Sequence, residues 1–224
     1  MCADSPSRPS RTRYPEETRT NKNEWKEGHA RPLPPVPAPT GHWTLRDVLA
    51  LPEDTTHRTE LARGRLMTTP RPALAHQRVS HRLHTLLERS ARESGADVEI
   101  LAAVNVIVPD GLLIPDLVIV DALAAHNADL TLHAHDILTV IEIVTPTTHH
   151  TDHTLKPTLY ATAAIPHYWR LDLPPSRHSS NLPHLTTGHR RADTYEDHHP
   201  LPGPPVHLNA PFPITFDLKA LVRL

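Results

Sequence analysis

The sequence predicts an α/β fold, a sandwich of helices about a mixed β-sheet. Three observations carry this. Residues 76–94 bear an apolar stripe at helical spacing (Val79, Leu83, Leu86, Leu87) and stop at Gly95, a suitable C-terminal cap. Three short apolar runs follow, at residues 114–121, 137–144 and 167–172, each with acid at or beside it. A polar turn and a helix-like segment holding Asp152, Lys156 and Tyr160 separate the second run from the third. The core order is therefore helix, strand, strand, strand, helix, strand, which layers helices onto a sheet.

The elements read as follows. Residues 1–39 are poor in apolar residues, rich in Pro and Arg, and end in a proline run that favours extended polyproline conformation, so a disordered tail is expected, with one domain over 40–224. Residues 43–51 suggest a short amphipathic helix with Thr44 as N-cap. Residues 58–69 read as a hairpin with Gly64 near its turn. Residues 98–108 alternate loosely as a strand, and Pro109-Asp110-Gly111 is a turn. Residues 122–136 are expected to form a loop with at most one helical turn. The helix near residues 152–163 contains Pro157, which belongs in a first turn, so a start near His153 or Thr154 is predicted. A Pro/Ser-rich loop, a hairpin at residues 185–195, edge strands at 206–208 and 214–216, and a closing helical turn complete the chain.

Composition narrows the function. The chain has 224 residues and formal net charge −2. The tail carries 7 Lys and Arg against 5 Asp and Glu, or +2, leaving 16 against 20, or −4, for the remainder. A phosphate-backbone partner therefore needs a local patch, because the whole-protein field does not attract it. The single cysteine, Cys2, excludes a disulfide framework and a cysteine-based zinc site. No stretch approaches the roughly 20 apolar residues of a membrane span, and the polar N-terminus does not read as a secretory signal. A soluble cytoplasmic protein is the expectation. The 19 histidines sit mostly in polar segments and read as a solvated surface bias.

Asp116 and Glu142 lie within apolar strands, where a carboxylate is costly unless paired. On neighbouring strands they would meet and hold a hard divalent cation, with the Ile143 carbonyl as a backbone ligand. Lys156 is the only lysine between Lys26 and Lys219. It stands four residues after Asp152 and four before Tyr160, placed to offset negative charge or to act on a nucleophile. The same spacing also describes an ordinary Asp152–Lys156 surface pair worth about 0.3 kcal/mol.

In order, Pro115-Asp116, Glu142-Ile143-Val144-Thr145-Pro146-Thr147-Thr148, Asp152, Lys156, Tyr160 and Ile165-Pro166-His167-Tyr168-Trp169-Arg170-Leu171-Asp172 resemble the Uma family of putative endonucleases. Glu60-Leu61-Ala62-Arg63-Gly64-Arg65-Leu66 and His76 are similar to its upstream pattern, so the resemblance covers about residues 43–221. It implies the restriction-endonuclease-like fold of the PD-(D/E)xK superfamily. The central mixed sheet would be flanked by helices, with an N-terminal helix-hairpin and a C-terminal β extension. It further implies Mg²⁺ (or Mn²⁺), DNA as substrate, and a homodimer. Asp116 and Glu142 would be the metal-ligating acids. Val144 stands in the slot of the usual lysine, which Lys156 would replace. Glu60 would complete the metal site or remain a hairpin surface acid. His76 would contact substrate or cap its helix, Asp152 would hold Lys156, and Tyr160, Tyr168 and Trp169 read as core.

The sequence departs from the family pattern at Thr145-Pro146-Thr147-Thr148 for Ser-Pro-Ser-Thr, at Ala164 for glycine, at His149-His150 for basic residues, and at Pro157 after the lysine. The favoured reading is a Mg²⁺-dependent nuclease acting on DNA. Against it stands a catalytically inactive nucleic-acid- or protein-binding module that keeps the fold. A third reading is a zinc or nickel site built from His149, His150, Asp152 and His153. Asp172 reads as a strand-end acid with no chemical task.

Overall fold

The computed structural model describes residues 41–174, 182–198 and 205–223. The expected disordered tail lies outside them, as do most of the Pro/Ser-rich loop and the segment before the last strands.

The chain is α/β, with central mixed sheets flanked by helices. Helix α1 (Leu45–Leu49) is capped by Thr44, whose side chain accepts from Asp47 N while the Asp47 carboxylate accepts from Thr44 N. Strands β1 (His57–Ala62) and β2 (Arg65–Pro70) form the expected hairpin, with Gly64 at φ 74° in its turn. Helix α2 (Leu74–Ser94) ends at Gly95 in the left-handed conformation. Then come β3 (Val98–Ala102), β4 (Asn105–Val108), β5 (Gly111–Leu113) and β6 (Leu117–Asp121). Helix α3 (Ala122–Asn127), β7 (Thr131–His133) and β8 (Ile137–Val144) follow. A π-helical turn (Thr151–Leu155) leads into α4 (Lys156–Thr162), and the chain continues through β9 (His167–Asp172), β10 (His184–Arg191), β11 (Thr194–His198), β12 (Val206–Leu208), β13 (Ile214–Phe216) and α5 (Leu218–Val222).

The larger sheet has the order β11-β10-β9-β8-β6-β3, antiparallel except for the parallel β8–β9 pair that the α4 crossover joins. Both faces of this sheet are covered, which explains apolar runs instead of alternation. Odd-numbered Leu117, Ile119, Ile141 and Ile143 pack with Val79, Leu83 and Leu87 of α2. Even-numbered Val118, Val120 and Val140 pack with Leu159 and Tyr160 of α4 and with Val106 and Leu113 of the second sheet. Full burial of a side chain such as Leu87 is worth about 1.5–3 kcal/mol.

The second sheet, β2-β1-β5-β4-β7, departs from the expected single sheet. Residues 98–108 are not one strand. Ala103, at φ 53°, turns the chain between β3, in the larger sheet, and β4, in the smaller. Residues 122–136 hold a capped helix and a strand, not a loop. The last two strands pair with each other as a separate antiparallel hairpin, instead of extending a sheet edge. Their apolar residues, with α5, cover α2.

The end of α4 shows how one departure from the family pattern is accommodated. Ile165 N donates to Tyr160 O, the 6→1 bond of a left-handed helix cap, and Ala164 takes φ 65°. An L side chain in that conformation costs about 1 kcal/mol relative to glycine. Ala164→Gly is therefore expected to raise stability by about 0.5–1 kcal/mol, read as a higher urea midpoint at unchanged slope. A lower midpoint would contradict the strain assigned to this position.

Candidate active site

Five segments converge on one buried cluster: β1, α2, the residue before β6, β8, and the helical segment that leads into α4. Alternation along β1 sets Arg58 and Glu60 on the same face, away from Leu61, which packs with Val48 of α1. The β6–β8 register pairs Leu117 with Ile141, so one residue further Asp116 stands across from Glu142. Asp116 Oδ2 also accepts from Ile143 N at 2.9 Å. After β8, Thr148 closes a turn by accepting from Thr145 N, and the helical segment begins there, with Asp152 N donating to Thr148 O. It starts earlier than the position of Pro157 suggests. In a regular α-helix the Pro157 ring would collide with the His153 carbonyl. The chain widens instead into a π turn, with Lys156 N donating to Thr151 O. Pro157 then falls in the first turn of α4.

The Lys156 ammonium lies 3.0 Å from Glu142 Oε1, 3.1 Å from Glu60 Oε1 and 3.7 Å from Asp152 Oδ1. Glu60 Oε1 also accepts from Ile114 N at 2.7 Å. The Tyr160 hydroxyl donates to Glu142 Oε1 at 2.9 Å, and Tyr168 donates to the Asp152 carbonyl at 2.7 Å. Asp116 is held by Arg58 Nη1 at 2.7 Å on Oδ1 and by His76 Nε2 at 3.0 Å on Oδ2. The acids and the lysine are all 2–6 % exposed, while the Arg58 side chain reaches 22 %.

These contacts pull the ionisations apart. Burial pushes Glu142 well up; Lys156 opposes this, and the neighbouring carboxylates of Asp152, Asp116 and Glu60 add to it. Asp152 is raised chiefly by burial. Burial also disfavours a charged Lys156, but Glu142, Glu60 and Asp152 outweigh it and hold the ammonium protonated. For Asp116 burial is opposed by the hydrogen bond and charge of His76 and then by Arg58, which bring the carboxyl down to about 2.

The structure thus brings Asp116, Glu142, Lys156, Glu60, Asp152 and His76 together. Glu60 is a buried member of the cluster, not a hairpin surface acid. The Asp152–Lys156 pair is buried, not a surface contact. His76 makes no cap bond and instead grips Asp116. Tyr160 is core, and its hydroxyl also anchors Glu142. Arg58 escaped the sequence reading, although its two-residue spacing from Glu60 in a strand was the available signal. Neither the hollow lined by Trp43, Arg63 and Asp110 nor the one lined by Asn127, Asp129 and Asp136 includes a residue of the cluster.

The donor set fits a hard divalent cation. Four carboxylates face one ammonium and one guanidinium, and Asp152 Oδ1 is buried with no hydrogen-bond partner among the described residues. Oxygen donors in anionic excess are what Mg²⁺ or Mn²⁺ takes.

The fold has a counterpart among solved structures. A crystal structure described as "a putative nuclease belonging to DUF820" from Anabaena variabilis ATCC 29413 superposes with TM-score 0.62 at 18 % identity, over 80 % of this chain and 97 % of that one. At this identity the likeness concerns the fold. Residues 45–219 match the model of the Uma2 family, "Putative restriction endonuclease", and the chain belongs to that family. No curated protein matches the sequence.

Because Asp116 falls from 3.8 to about 2 on folding, it favours the folded state above pH 4 and loses that contribution as pH drops toward 2. The contribution is about 2 kcal/mol at most. Glu142 and Asp152, shifted upward, act in the opposite sense, so the comparison must be between variants. Urea unfolding from pH 5 to 2 is expected to show a shallower acid-side loss for His76→Ala than for the unmodified chain. Parallel profiles would contradict the His76–Asp116 coupling.

Proposed function

We propose that this protein is a metal-dependent endonuclease that hydrolyses phosphodiester bonds in DNA. The observation that carries the reading is the convergence of Asp116, Glu142, Glu60 and Lys156 from separate elements, in a chain of the Uma2 family. Asp116 and Glu142, with the Ile143 backbone beside them and Glu60 adjoining, would hold Mg²⁺ or Mn²⁺. Such an ion supplies Lewis-acid polarisation of a phosphoryl oxygen and a more acidic bound water.

The chain's own residues have separable tasks. Lys156, held protonated by three acids, is unsuited to be a base. Its role is to offset negative charge that develops on the phosphate. Tyr160 fixes the Glu142 carboxylate, and His76 and Arg58 fix Asp116. Arg58 is the most exposed of these groups and its guanidinium matches a phosphate oxygen pair, so it is suited to meet the backbone of the substrate. Cutting both strands would suit a homodimer.

A second reading, an inactive binding module, is favoured by one observation: both oxygens of Asp116 already have protein partners. Cleavage of plasmid and single-stranded DNA in Mg²⁺ or Mn²⁺ separates the two. The nuclease reading expects cleavage that Asp116→Ala or Glu142→Ala abolishes and Lys156→Ala lowers about 10²–10³-fold. Absence of cleavage in either ion, with no calorimetric Mn²⁺ binding, would leave the module.

A further inference from the structure

We propose that His149, His153 and Asp172 form a second metal site, separate from the acid cluster, that takes a borderline divalent ion such as Zn²⁺. The three residues offer ligand atoms that all lie within 4.8 Å of one another. His153 Nε2 is 2.9 Å from Asp172 Oδ1, and the His149 and His153 rings stack at 4.2 Å with planes 15° apart. Ligands at about 2.0–2.2 Å from a tetrahedral zinc ion stand about 3.3–3.6 Å apart, so closure needs a shift of about an ångström. His149 is the exposed member of the three, so its side chain is the one that would supply it.

The fold explains why these three meet. Two histidines four apart on a helical face are a spacing that chelates. The π turn begins between them, and its larger number of residues per turn keeps residues four apart on one face. Asp172 ends β9 beside Val144, the last residue of β8, so it sits where the chain leaves the sheet for this turn. Two imidazoles and one carboxylate suit zinc, nickel or copper and leave a position for water. They do not suit Mg²⁺, which prefers the all-oxygen set nearby.

The membership differs from the set the sequence suggested. Asp152 points inward, 2 % exposed and beside Lys156, and His150 makes no part of the cluster. A loaded ion would tie the end of β9 to the turn from which Asp152 and Lys156 project.

The test uses the untagged full-length protein with excess Mg²⁺ present. Zn²⁺ is titrated by calorimetry, and Co²⁺ by its visible absorption. One tight equivalent is expected, with affinity reduced at least 10-fold in His149→Ala and in Asp172→Asn and unchanged in the control His126→Ala. Zn²⁺ should raise the melting temperature of the unmodified chain and not that of His149→Ala. Equal binding by all variants, or no Zn²⁺ bound by the unmodified chain, overturns the site. Neither readout depends on nuclease activity.

Discussion

The Lys156 ammonium, buried among Glu60, Glu142 and Asp152, is the contact on which the rest of the structure depends. Each of those acids sits at most 3 % exposed, and each would be costly there alone. Removing the cation from such a group is worth several kcal/mol in general, about 3–5, because the remaining charges have no solvent to turn to. The contact also crosses the fold. Glu60 belongs to the small sheet, Glu142 to the large one, and Lys156 to the crossover helix. One ammonium therefore sets how two sheets and a helix approach, and the apolar faces of Val118, Val140 and Tyr160 fill in around it.

The helix that supplies this lysine is irregular, and the irregularity has a cause. Pro157 would break a regular helix at His153, and the wider turn lets both stand. Pro157, a departure from the family pattern directly after the lysine, is thus compatible with the lysine's placement. Two consequences follow from one turn: Asp152 and Lys156 face inward, while His149 and His153 face outward as a stacked pair. The backbone distortion is where the inner acid cluster and the outer histidine group share a structural origin.

Much of the centre was readable in the sequence. Asp116 and Glu142 stood out because ionisable groups inside apolar runs demand partners, and α2 because its stripe and Gly95 cap agree. The Glu60 hairpin was legible from Gly64. What was not legible rests on pairing between distant segments. The second sheet depends on Ala103, an alanine with nothing in its identity to announce a left-handed turn. His76 and Arg58 gained their roles only through Asp116, 40 and 58 residues away. Asp172, an unremarkable strand end by sequence, meets His153 because β9 lies parallel to β8.

The central claim is that Asp116 and Glu142 share a divalent cation beside Lys156. Anomalous diffraction from crystals soaked in Mn²⁺ tests it most directly. The account predicts a manganese peak bonded to both carboxylates, with the Lys156 ammonium still close by. A manganese-saturated crystal with no peak there, and with the Lys156–Glu142 pair undisturbed, would contradict it.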